Sequence, residues 1–161
     1  MNDRDREVLS RFNGIWARVQ PESAQCPTAA EPDNEAALRM TIDQNAAAVK
    51  VLCTLARREP CCLSRLQALA RERTVMTRQL QGAYYLLTGE RFTPGASCAV
   101  RHESAACLRC LWQTSRNQAL YARRFAAQTG EPLLQALYTE LADLLDDQSD
   151  ALREIVCALL G

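Results

Sequence analysis

Apolar residues along this chain recur at steps of three and four, the spacing of a buried helical stripe. No segment alternates with the period of two expected of a strand. The pattern predicts a leader helix over Asp3 to Val19, with Val8, Phe12, Ile15, Trp16 and Val19 on one face. The stretch QPESAQCPTAAEPDN then reads as a loop. Four long helices follow: α1 from Asp33 to Arg58, α2 from Pro60 to Thr88, α3 from Ser104 to Gln128, and α4 from Pro132 to the C-terminus. Glu59-Pro60 separates the first two, because proline fits an opening turn but not a helix interior. Gly89 suits the left-handed residue that closes a helix, and Ser104 is the expected N-cap of α3.

The joins predict the topology. The α1–α2 and α3–α4 turns are short, so each pair is antiparallel. Between α2 and α3 lies ERFTPGASCAVRH, 13 residues that reach at most ~44 Å when extended. Helix α2 is ~40 Å long, so this linker can run the full length of the molecule. The expected fold is an all-α four-helix bundle with a long α2–α3 crossover and an extra N-terminal helix. It forms one domain over 1–161, with the leader helix and loop in 1–32 and the bundle in 33–161. A faint repeat at an offset of 72 pairs Glu59-Pro60 with Glu131-Pro132, Leu69-Ala70 with Leu141-Ala142, and Leu80 with Leu152. One helical hairpin used twice accounts for it.

Each predicted stripe carries one polar interruption. Helix α1 offers Leu38, Ile42, Asn45, Val49, Leu52 and Ala56, and α2 offers Leu66, Leu69, Arg73, Met76, Leu80, Ala83 and Leu87. Helix α3 offers Cys107, Leu111, Thr114, Gln118, Tyr121 and Phe125, and α4 offers Leu137, Leu141, Leu145, Gln148, Leu152, Ile155 and Leu159. In the crossover topology Asn45, Arg73, Gln118 and Gln148 all fall ~20 Å from the same pole, which is one mid-bundle layer. Polar residues at such positions fix helix register at some cost in stability.

Two segments, LARERTVMTRQL and LADLLDDQSDAL, resemble the phrase L-A-x-x-E-x-x-H-A-x-x-L of ferritin-like, rubrerythrin-type bundles. YYLLTGERF, at the end of α2, is similar to related bacterial members, and the resemblance spans Asp33 to Leu160. It implies two metals in the core, held by a Glu on each of two helices and a Glu-x-x-His on each of the others. Carried over residue by residue, the lone Glu positions fall on Asn45 and Gln118. The α2 pair falls on Arg73 and Met76, and the α4 pair on Leu145 and Gln148. No carboxylate or imidazole remains, so the resemblance implies a degenerate site with no core metal. Shifting α2 by one residue would bring Glu72 inward with Val75, and shifting α4 would bring in Asp146, or Asp147 with Asp150. No register supplies a histidine, since the single one, His102, lies in the linker.

Composition narrows the function classes. Formal net charge is zero, which argues against a nucleic-acid partner. No apolar run reaches the ~18 residues of a membrane span, and MNDRDREVLS has no apolar signal core, so the expected address is cytoplasmic. In that compartment the eight cysteines are expected as reduced thiols or metal ligands. The topology sends Cys53, Cys61, Cys62, Cys107, Cys110 and Cys157 toward one pole. Cys98, His102, Cys107 and Cys110 have the spacing C-x3-H-x4-C-x2-C, which with Cys61 and Cys62 makes a candidate thiol site for zinc or an iron–sulfur group. Apart from that alternative no cofactor is expected. A homodimer through the leader helix or an exposed bundle face stays open, and no protein or small-molecule partner is assigned. The leading expectation is a non-catalytic binding or structural module. A cysteine-based metal or redox protein comes second, and a remnant di-iron oxidase or peroxidase third.

Overall fold

The computed structural model describes residues 33–95 and 103–160. The predicted leader helix, Cys98 and His102 lie outside the described residues. Four long helices fill that part of the chain: α1 Asn34–Arg58, α2 Leu63–Thr88, α3 Ser104–Gln128 and α4 Pro132–Leu160. No strand occurs among the described residues.

Local chemistry explains the ends. The Asp33 carboxylate accepts from the Ala36 amide at 3.0 Å and caps α1. Glu35 in the first turn and Arg57 and Arg58 in the last match the helix dipole. The start predicted for α2 at Pro60 is corrected by one turn. Pro60–Cys62 form a 3₁₀ turn in which the Cys62 amide bonds to Glu59 O at 3.0 Å, and the α-helix begins at Leu63. That tighter turn reverses the chain over a few residues. Gly89 closes α2 at φ 74°, its amide bonded to Tyr85 O. Ser104 is not the N-cap of α3. It is the first helical residue, and Glu103 occupies the cap position without a side-chain bond.

Side-chain bonds between helices fix their directions. Tyr84 near the end of α2 bonds Glu35 and Arg39 near the start of α1. Thr129, just past α3, bonds Asn34 at the start of α1, and Gln118 bonds Gln44. Arg65 pairs with Glu154, and Arg73 bonds Gln148, so α2 and α4 also run antiparallel. One pole therefore holds the start of α1, the end of α2, the end of α3 and the start of α4. The end of α2 and the start of α3 lie at opposite poles, and the segment from Gly89 to Glu103 connects them. Its described part lies along the bundle: Gln81 Nε2 donates to Phe92 O, and the Gly95 amide donates to Asp43.

The core is divided. One apolar cluster lies toward the α1-start pole and includes Leu38, Ile42, Leu80, Phe125, Tyr138 and Leu145. The other lies toward the opposite pole and includes Leu52, Leu55, Leu66, Leu108, Leu152 and Ile155. Two predicted stripes need correction. In α2, Leu87 is 43% exposed, and Tyr84 takes the inward place. In α3 the buried positions are Leu108, Leu111, Ser115, Ala119, Ala122, Phe125 and Ala126. Thr114 is exposed, and Cys107, Gln118 and Tyr121 are only half-buried. The α3 seam is thus rotated onto small residues.

Candidate functional site

Between the two apolar clusters lies a belt of polar side chains centred on Arg73. Helix α2 presents Leu66, Leu69, Arg73, Met76 and Leu80 inward at helical spacing, so the guanidinium has no route out. Arg73 is fully buried. Its Nε donates to Gln148 Oε1 at 2.7 Å, its Nη1 to Gln118 Oε1 at 3.3 Å, and its Nη2 to Ser115 Oγ at 2.5 Å. All three acceptors are neutral. Desolvation lowers the Arg73 pKa from its ordinary value to about 10, and among the described residues no carboxylate forms an ion pair with it.

Each acceptor is oriented by a further bond. Ser115 Oγ spends its own proton on Leu111 O at 2.7 Å, which leaves lone pairs for the guanidinium. Gln148 Nε2 donates to Leu69 O at 3.2 Å and to Glu72 Oε2 at 2.9 Å, which directs its carbonyl oxygen at Arg73. Gln118 Nε2 donates to Gln44 Oε1 at 3.2 Å. A continuous bonded path thus crosses the bundle: Glu72, Gln148, Arg73, Gln118, Gln44. Along that path the Glu72 carboxylate is linked to Arg73 through the Gln148 amide.

Of the residues singled out in the sequence, Arg73, Gln118 and Gln148 are bonded into this set. Asn45 is not. It is buried, its Nδ2 donates to Thr41 O in its own helix, and its Oδ1 has no partner among the described residues. Its neighbour Gln44 is the α1 residue that reaches the belt. Met76 and Leu145 are buried in the apolar cluster on one side of the belt. The shifted registers do not occur. Glu72 and Asp147 are exposed, Asp150 is exposed, Val75 is 55% exposed, and Asp146 pairs with Arg123 on α3. Ser115 was not legible as a site residue. The signal that could have found it is its spacing from Leu108, Leu111 and Ala119, once small residues are counted as core.

The donor set does not fit a di-metal centre. Two amides, a hydroxyl and a guanidinium offer neither the carboxylates nor the imidazoles that hard or borderline cations take. Among the described residues, no three His, Cys, Asp or Glu side chains stand close enough to hold one ion.

The described thiols lie toward the pole where α1 and α4 end and α2 and α3 begin. Cys53, Cys61, Cys110 and Cys157 are exposed, Cys107 is half-buried and Cys62 is buried. Cys62 and Cys107 both pack against the apolar cluster of that half. The Sγ atoms of Cys61 and Cys62 are 3.6 Å apart and hydrogen-bonded. Burial, with that bond second, pushes the Cys62 thiol up from its ordinary pKa. Of the predicted set of Cys61, Cys62, Cys98, His102, Cys107 and Cys110, Cys61 and Cys62 stand in direct contact, while Cys98 and His102 lie outside the described residues.

No helix among the described residues is long and apolar enough to cross a membrane. Comparison with protein-family models, with curated proteins and with solved structures gives no match.

Proposed function

We propose that this chain is a non-catalytic bundle of the ferritin-like type that serves as a binding or structural module, with Arg73 and its amides filling the layer where such bundles hold metals. One observation carries the reading: a fully buried guanidinium at mid-bundle, held by three neutral acceptors. The arrangement of helix poles around a crossover supports the ferritin-like part. A cation bound beside Arg73 would meet like charge and, in direct contact with the guanidinium, only neutral ligands, so the belt disfavours the chemistry that two core metals would supply. What it offers instead is a fixed register between α2, α3 and α4, since a slip of either partner helix would leave the buried charge unpaired.

Elemental analysis of untagged protein, purified anaerobically without added metal, tests this. Iron and manganese well below one atom per chain are expected, together with no oxygen consumption on adding ferrous iron. Two irons per chain with turnover of oxygen would overturn the proposal. A second reading, a thiol-based site, is favoured by a separate observation, the Cys61–Cys62 contact.

A further inference from the structure

We propose that Cys61 and Cys62 form a bidentate capture site for trivalent organoarsenicals, a class of soft electrophile that takes two thiol sulfurs from one protein. The proposal deepens the thiol reading and does not depend on how the Arg73 belt is interpreted.

The two sulfurs lie 3.6 Å apart on the 3₁₀ turn that opens α2. Two sulfur bonds of about 2.3 Å, the length of a zinc–thiolate bond, must meet well short of linear to span that distance, whereas a linear two-sulfur ion would need roughly 4.6 Å. The pair therefore has the bite of a bent centre and not of a digonal one. Among the described residues no third Cys, His, Asp or Glu joins the pair to make a group able to hold a metal. Those two sulfurs alone would leave a tetrahedral ion such as zinc half coordinated. A trivalent arsenic that already carries one carbon substituent needs two sulfurs and no more.

Cys61 is exposed and Cys62 is buried at 6%. An arsenical meets the outer sulfur first and closes onto the inner one, which belongs to the apolar cluster that includes Leu52, Leu55 and Leu66. An organic substituent on the arsenic remains on the open side. Two As–S bonds form, the As–O bonds of the oxide break, and the oxygen leaves as water with both thiol protons. Arsenic stays trivalent and no electron is transferred. Oxidation to a disulfide competes poorly, because adjacent Cα atoms stand about 3.8 Å apart, below the roughly 4.4 Å where unstrained disulfides begin.

Phenylarsine oxide is the probe. Full-length reduced protein is titrated with it, free thiols are counted before and after, and the adduct is located by peptide mapping. One equivalent should remove two thiols, map to the peptide containing Cys61 and Cys62, and be released by 1,2-ethanedithiol. Cys61→Ser, at an exposed position, should weaken retention at least tenfold. Cys62→Ala should do the same, while Cys53→Ser and Cys110→Ser should not. Failure to bind, an adduct that persists in Cys61→Ser, or an adduct mapped to Cys107 and Cys110 would overturn the assignment. So would stoichiometric zinc held by Cys61 and Cys62 against excess phenylarsine oxide.

Discussion

Arg73 and Gln148 stand 75 residues apart in the chain and 2.7 Å apart in the fold, joined by a hydrogen bond from Nε to Oε1 across the α2–α4 seam. Gln148 is held in that orientation by two acceptors, Leu69 O and Glu72 Oε2, both on α2. Helix α4 thus grips α2 through one amide that faces a cation on one side and an anion on the other.

That relationship predicts strong coupling. Gln148→Leu strands a donor of a buried charge and should cost about 3 kcal/mol. Arg73→Met should cost less, about 1–2 kcal/mol. Of the three acceptors it frees, Ser115 keeps its bond to Leu111 and half-buried Gln118 can reach water, which leaves Gln148 Oε1 as the one buried orphan. The double variant restores an apolar seam and should be more stable than the sum of the single losses by at least about 1 kcal/mol. Urea unfolding of the four proteins measures this. Additivity to within about 0.5 kcal/mol would mean that the pair does not act as a unit.

Alkaline pH should expose a different buried group. Tyr138 is fully buried, with its ring centroid 4.3 Å from that of Phe125 and its hydroxyl 3.0 Å from Thr41 Oγ1. Burial pushes its pKa well above the ordinary 10.0. The unfolded chain releases this proton at about pH 10, while the folded protein holds it. Its contribution is therefore complete below that pH and is lost as pH rises above it, by about 1 kcal/mol near pH 11. Tyr138→Phe should lack this slope, so its stability relative to the parent should rise from about pH 9 upward. Arg73 works with the opposite sign, because its lowered pKa relieves a burial penalty above about 10. It is common to both proteins and cancels in the difference. Parallel stability–pH curves would rule out the buried phenol as the source.

Much of the fold was legible because large apolar residues carry the stripes of α1, α2 and α4. Leu38, Ile42, Leu66, Leu80, Leu141 and Leu152 are all buried where their spacing puts them. The paired turns and the linker length were also sufficient to infer which helix ends share a pole. Arg73 and Gln148 stood out because they interrupt those runs. Helix α3 was misread because its inward face is built from Ser115, Ala119 and Ala122, which carry little hydrophobic signal, while Thr114 and Tyr121 offered the same period one residue away. Asn45 was read into the belt from its height alone. Height does not determine which way an amide turns, and Asn45 bonds back to Thr41 on its own helix. The Cys61–Cys62 contact depends on a 3₁₀ turn that a helix starting at Pro60 would not contain.

The small-residue seam itself can be tested. Ala119 is fully buried against the cluster that contains Phe125, Leu141 and Leu145, and Ala122 one turn on is also fully buried. If α3 lies close to its neighbours because these side chains are small, there is no room for three further carbons. Ala119→Leu should then destabilise the protein by about 1–3 kcal/mol through overpacking, although leucine is both more hydrophobic and a good helix former. Ala127 provides the control. It lies in the same helix but is exposed, so Ala127→Leu should change stability by less than about 0.5 kcal/mol. Thermal or urea unfolding of the two variants separates packing from propensity. A neutral or stabilising Ala119→Leu would return the seam to the face of Thr114, Gln118 and Tyr121, and with it would remove Ser115 from the partners of Arg73.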